Sequence, residues 1–319
     1  MTDPILLPLR GPSGEPVDLW RTLISHGFAE LPPMALDEDR RTLALTVRPP
    51  RGAPRRVVIG RGPRGRAAVR LDGGPTLSAA TRTAIAEAVA RVLRLEQDLA
   101  PFYEVAATDE RMAWVTAGAG RMLRSQTVWE DVVKTICTTN CTWALTRVMV
   151  RALVSELGDP AAGHRGDPLA NAFPTPAAMA AHDEAFYREV VRSGYRAPRF
   201  VELATMAAEG SLDLEALGTA SRDELPDEEV ERQLLALPGV GPYAAAHIMM
   251  TLGRNSKPIL DSWTRPAYAR LTGRRRPPAD AALARRFRAY GPEAGLAFWL
   301  FVTRDWVDDG APPEGLPVP

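Results

Sequence analysis

Residues 234–263, LLALPGVGPYAAAHIMMTLGRNSKPILDSW, constrain the fold more than any other part of the chain. The apolar run ending at Leu237 reads as a helix, Pro238-Gly239-Val240-Gly241 as a four-residue turn, and Pro242 opens a second helix at the position where proline's missing N–H costs least. The chain must therefore double back as a helical hairpin. Its glycines permit backbone conformations closed to other residues, and the second helix begins with unpaired N–H groups that suit a phosphate oxygen. A GxG turn also serves as a plain tight connector, so taken alone it leaves both readings open. Twenty residues beyond Gly241, past a helix that stops at Gly253 and the loop Asn255-Ser256-Lys257-Pro258, stands Asp261, placed to cap the helix SWTRPAYARL.

The surroundings set the fold class. At 319 residues the chain is long enough for two or three domains. Residues 1–75 are rich in Gly, Pro and Arg and carry short β-like runs at Thr42 to Val47, Arg56 to Ile59 and Ala67 to Leu71, which predict a small antiparallel sheet. From Ser78 onward the periodicity is helical. Ser78 caps AATRTAIAEAVARVLRLEQDL, Thr127 and Glu130 have capping-box spacing ahead of TVWEDVVKTIC, and TWALTRVMVRALVSEL ends at Gly158. Further helices follow at about 176–209, and Ser221 with Glu224 forms a second box before DEEVERQLLAL. The expected class is α+β: an N-terminal antiparallel sheet domain with a closing helix (1–100), a mainly helical region of two subdomains (101–309, hairpin at 234–253) and a loose tail (310–319).

Charge narrows the partners. The chain balances 39 Lys+Arg against 39 Asp+Glu, so any polyanion contact must be local. The neutrality hides segregation: residues 254–288 hold ten cations around Asp261 and Asp280 alone, whereas 223–231 hold six acids and no cation. Residues 40–70 carry ten arginines and no acid, either fringing exposed strands or facing phosphates. Lysine occurs only at Lys134 and Lys257. Cys137 and Cys141 are too few for an iron–sulfur cluster and read as reduced thiols. No stretch approaches the roughly 20 apolar residues of a membrane span, and MTDPILLPLR lacks the cationic flank and apolar core of a secretory signal. A cytoplasmic, nucleoid-associated protein is the expectation.

With LPGVG followed at that distance by Asp261, the sequence resembles the helix-hairpin-helix (HhH-GPD) DNA glycosylases, in their 3-methyladenine and 8-oxoguanine branches. The likeness continues through LRLEQDLAPFYEVA, GRMLRSQTVWEDVVKTICTTN, SGYRAPRFVELA and YGPEAGLAFWLF, covering roughly residues 18 to 306. It implies that the hairpin N–H groups of Gly239, Val240 and Gly241 hold the DNA backbone and that Asp261 is the catalytic carboxylate at the sugar of a flipped nucleotide. The chemistry fits, since breaking an N-glycosidic bond builds positive charge on the deoxyribose, which a preplaced carboxylate stabilises.

Bifunctional members carry a lysine two residues after the second hairpin glycine, and that position here is Tyr243. The resemblance therefore implies a monofunctional enzyme that hydrolyses base from sugar and leaves an abasic site. Asn140 in TTNC and Tyr195-Arg196 in SGYRA match the residues that fill the gap beside the orphaned base, although singly they read as a helix-end Asn and a surface aromatic. Tyr243, His247 one turn on, Trp263 and Trp299 are candidate walls of the base pocket, where electron-rich rings favour a cationic alkylated purine, while core packing is their ordinary fate. The resemblance also implies a monovalent cation, Na+ or K+, on the main-chain carbonyls of Leu235, Leu237 and Val240, with no cofactor required.

The leading expectation is a monomeric base-excision glycosylase acting on double-stranded DNA that contains a damaged base, an alkylated purine such as 3-methyladenine. Alternatives are an 8-oxoguanine-type enzyme using water and a non-catalytic hairpin protein that binds DNA damage, in which Asp261 is only a helix cap. An RNA-binding module finds no recognisable motif.

Overall fold

A computed structural model describes residues 3–307, and the tail expected at 310–319 lies outside them. Five strands form one antiparallel sheet in the order β1-β5-β4-β3-β2: β1 Ile5–Pro8, β2 Met34–Asp37, β3 Thr42–Val47, β4 Arg55–Arg61 and β5 Arg66–Leu71. Alternation sets the register. Leu43 and Leu45 of β3 stand opposite Ile59 and Val57 of β4, and Ile59 stands opposite Val69 of β5, so one face is continuously apolar. The helix Ala79–Val92 covers that face with Ile85, Val89 and Val92, and Ser78 caps it by accepting the Thr81 N–H. The three predicted strands are present; β1 and β2, four residues each, are too short to show a pattern.

The remaining described chain is helical, so the class is α+β as expected. Its apolar residues fall into two further clusters. One gathers the helices Val128–Thr138, Trp143–Leu157, Ala197–Ala208 and Asp227–Leu235; the other gathers Ala100–Ala106, Thr264–Leu271, Asp280–Phe287 and Ala294–Thr303. The second hairpin helix, Pro242–Thr251, serves both: Ala244, Ala245, Ile248 and Met249 enter the first core and Met250 the second. Whatever stands at its N-terminus lies on the seam between the two cores. The sheet domain ties this helix down from the other end. Arg94, just past the sheet-covering helix, donates to the carbonyls of Thr251 (2.7 Å) and Leu252 (3.2 Å), satisfying oxygens that the helix C-terminus leaves unpaired.

Two boundaries differ from expectation. The first hairpin helix ends at Leu235, not Leu237, because Leu237 and Val240 belong to a tighter turn in which the Val240 N–H donates to the Leu237 carbonyl (3.1 Å). The Ser221–Glu224 box forms reciprocally, but it closes an isolated turn, and the helix starts at Asp227 after Pro226. Among the described residues no helix is long and apolar enough to cross a membrane.

Candidate active site

The hairpin turn needs only one of its glycines for conformation. Gly239 has φ +83°, in the left-handed region, and a Cβ there would lie 3.3 Å from the Arg199 Cβ. Gly241, the N-cap of the second hairpin helix, has φ −104° and ψ −176°, open to any residue, and nothing lies within 4 Å of where its Cβ would be. Its bareness therefore leaves exposed backbone at a helix N-terminus, an arrangement that admits close approach from outside. Pro242 follows at the first helical position.

Gly239 and Gly241 form one side of a cleft of about 670 Å3. Tyr243 and Asp261 line it together, with Asn140, Tyr195 and Arg196 at the far rim. The Asp261 carboxylate is held from one side: Oδ1 accepts the N–H groups of Trp263 (2.8 Å) and Thr264 (2.7 Å), while the Asp261 N–H donates to Thr264 Oγ1 (2.9 Å). Asp261 thus caps the turn that leads into the helix Thr264–Leu271, whose own N-cap position is Trp263. The cap uses Oδ1, and among the described residues no hydrogen bond falls on Oδ2. The charge beside it is felt by its neighbours. Burial, and next the Asp261 charge, push the Tyr243 hydroxyl up to about 12. His247 is lowered by burial against the opposing pull of the Tyr243 carbonyl and of Asp261. Its Nδ1 donates to that carbonyl (3.1 Å), which leaves Nε2 as the bare nitrogen of the neutral ring.

The three rim residues separate into two roles. Asn140, at φ +46°, is exposed and donates to the Tyr195 hydroxyl (3.3 Å), and Tyr195 is 60% exposed. Arg196, expected to face DNA, is instead 4% exposed. Its guanidinium donates to the Ile136 carbonyl (3.1 Å), to Thr139 Oγ1 (3.2 Å) and to the Thr139 carbonyl, and it lies 4.5 Å from the Tyr195 ring centroid. It pins the end of the helix Val128–Thr138 and props Tyr195 from beneath.

The aromatic residues are contiguous, but most do not line the cleft. Tyr243 stacks on His247 (4.2 Å between centroids), His247 meets Trp299 (6.4 Å), Trp299 meets Trp263 (5.9 Å) and Trp263 meets Trp306 (5.6 Å). Tyr243 alone of the four candidates faces the cleft; His247, Trp263 and Trp299 form the packed wall behind it. Trp299 Nε1 donates to the Ser25 carbonyl (2.9 Å), bracing that wall against the sheet domain. Around the hairpin Leu237 and Val240 are core residues, whereas Leu235 is 42% exposed. Arg199 and Thr138 line the cleft and were not anticipated. Arg199 sits one helical turn past Arg196, a spacing that could have shown it.

The segregation of charge along the sequence is undone in space at a few residues. Arg254 reaches back to Asp227 (3.0 Å), Lys257 pairs with Glu231, and Arg265 grips Asp280 through two bonds of 2.9 Å. Two cations of the basic stretch thus meet two acids of the acidic one across the hairpin and Arg265 is spoken for, while among the described residues Arg270, Arg274, Arg275, Arg276, Arg285 and Arg288 form no ion pair. Lys134 is fully buried against Glu130 (2.6 Å).

No protein-family model matches the sequence, and no curated protein is similar to it. Solved structures share the fold. MBOgg1, in complex with a low-affinity DNA ligand, superposes with a TM-score of 0.71 at 18% identity, covering 96% of each chain. The 3-methyladenine DNA glycosylase from Archaeoglobus fulgidus gives 0.70 at 19%, covering 95% of this chain and 99% of its own. The 8-oxoguanine glycosylase/lyase of Clostridium acetobutylicum gives 0.70 at 17%, covering 95% and 96%. The structural neighbours are thus DNA glycosylases of the 3-methyladenine and 8-oxoguanine kinds, and the fold is theirs.

Proposed function

We propose that this protein is a monofunctional DNA glycosylase that hydrolyses the N-glycosidic bond of a flipped, damaged purine. The observation that carries the reading is the juxtaposition in one cleft of a hairpin with exposed backbone at Gly241, the Tyr243 ring, and the Asp261 carboxylate with Oδ2 unengaged. In this reading the N–H groups of the hairpin turn hold a phosphate of the damaged strand. Tyr195 and Asn140 occupy the gap in the duplex, and Tyr243 stacks on the extruded base. As the C1′–N bond lengthens, its electron pair leaves with the base, and Asp261 stabilises the positive sugar. A water oriented by Asp261 forms the new C1′–O bond and passes one proton to the Asp261 carboxylate, which releases it to solvent.

Two features support hydrolysis without strand cleavage. Position 243 is tyrosine, and both lysines are committed elsewhere, Lys134 to Glu130 in the core and Lys257 to Glu231. An alkylated, positively charged purine suits the electron-rich face of Tyr243 and the neighbouring carboxylate. Purified protein should release free base from alkylated duplex DNA without nicking it. Asp261→Asn is a clean test because asparagine keeps an oxygen for the Trp263 and Thr264 N–H groups and removes only the charge. Removing one preorganised electrostatic group from an active site costs on the order of 10²–10³ in rate, and a loss at least that large is expected here with DNA binding retained. Undiminished release by Asp261→Asn would leave the aspartate as a helix cap and overturn the mechanism.

A further inference from the structure

The arginines of residues 40–70 sort into distinct environments. Arg55 and Arg56 are buried in β4, Arg40 pairs with Asp37 (2.9 Å) and Arg48 pairs with Asp159. Arg41, Arg61 and Arg66 instead converge on a cavity of about 500 Å3 on the sheet domain, distinct from the Asp261 cleft. None of the three forms an ion pair with a described residue. The nearby acid, Asp18, is engaged by Arg21 (3.7 Å), and Arg21 also donates to the Val307 carbonyl (3.2 Å). The geometry is built rather than loose. Arg61 and Arg66 flank the β4–β5 turn, which is fixed by Gly62 N–H donating to the Arg66 carbonyl (2.8 Å) and Leu9 N–H to the Gly65 carbonyl (3.0 Å). Arg41 lies 5.6 Å from the Trp20 ring centroid.

Three guanidinium groups gathered on one concave surface repel one another, and an anion with several oxygens reverses that sign. Guanidinium forks match phosphate oxygens in a bidentate way. We propose that this cavity is a second, phosphate-binding site, taking either backbone phosphates of a DNA strand away from Asp261 or a free phosphoanion. The cavity wall at Val307 follows Trp306, whose ring packs on Trp263, two residues from Asp261.

The test compares full-length wild type with Arg41→Gln/Arg61→Gln/Arg66→Gln. Affinity for an undamaged duplex is measured against salt, and thermal stability against inorganic pyrophosphate. If DNA supplies the phosphates, the log–log salt slope falls by about 2 to 3 in the variant, while single-turnover base release at saturating enzyme is unchanged. If a free anion does, pyrophosphate raises the wild-type Tm saturably, leaves the variant's unmoved, and the slopes agree. Equal salt slopes together with equal pyrophosphate responses overturn the proposal. A response seen only in full-length Asp308→Asn/Asp309→Asn also overturns it, since the cavity would then be matched to the acidic residues that follow Val307 in sequence.

Discussion

The hairpin glycines separate folding from binding, and a pair of alanine substitutions should show it. At Gly239 the left-handed backbone costs an L-residue about 1–2 kcal/mol, and the new methyl meets the Arg199 Cβ at 3.3 Å. Gly239→Ala should therefore lower stability by about 1–2 kcal/mol and Tm by about 2–6 °C. At Gly241 the backbone is extended and the Cβ position is open. The gain from a stiffer unfolded chain, about 0.4–1 kcal/mol, is offset by a cap preference of similar size, so Gly241→Ala should leave stability within about 0.5 kcal/mol. Its methyl does stand where a phosphate would approach the turn, and losing a hydrogen bond to a charged group costs about 1.5–3 kcal/mol, or about 10- to 100-fold in Kd. Denaturant midpoints and duplex-DNA titrations on the two variants read both quantities. A Gly241→Ala protein that is destabilised like Gly239→Ala yet binds DNA normally would refute the phosphate-clamp reasoning.

Two further outcomes follow from buried polar groups. His26 is buried with Nε2 on the Leu123 carbonyl and Nδ1 accepting the Phe28 N–H, and burial lowers its pKa to about 4. Above pH ~6.5 both folded and unfolded states are neutral there; between ~6.5 and 4 only the unfolded chain takes the proton, so stability should fall with pH by up to about 3 kcal/mol. His26→Gln should flatten that part of the profile, and parallel profiles for the two proteins would count against the assignment. Arg196→Ala should cost about 2–3 kcal/mol in denaturant unfolding, because it strands the Ile136 and Thr139 carbonyls. The exposed Tyr195→Ala should change stability by under about 0.5 kcal/mol and weaken binding to damaged duplex.

Much of this was legible locally. The caps at Ser78 and Thr127 and the strands β3 to β5 depend on neighbours along the chain, and the structure forms each of them. The hairpin was legible too, because Pro-Gly-x-Gly-Pro admits few backbone paths. What was illegible is distal. Arg196 and Tyr195 are adjacent in sequence and look alike as surface residues, but one is buried because helix-end carbonyls of Ile136 and Thr139 happen to lie against it. His247, Trp263 and Trp299 carried the chemistry of a pocket and became its backing, since their rings pack on one another and Trp299 is fastened to the Ser25 carbonyl of the sheet domain.

Charge shows the division most plainly. The sequence by itself determined that the helices would fold back at Gly239 and set Asp261 one helix beyond, because dihedral freedom and capping are properties of a few consecutive residues. It also concentrated cations after residue 254 and acids before 232. Only the tertiary structure decided that these two stretches face each other, so that Arg254 and Lys257 are spent on Asp227 and Glu231. It also gathered Arg41, Arg61 and Arg66, which form no ion pair with a described residue, around one cavity of the sheet domain. Coulomb energy depends on distance in space, and distance in space is what a linear sequence leaves open.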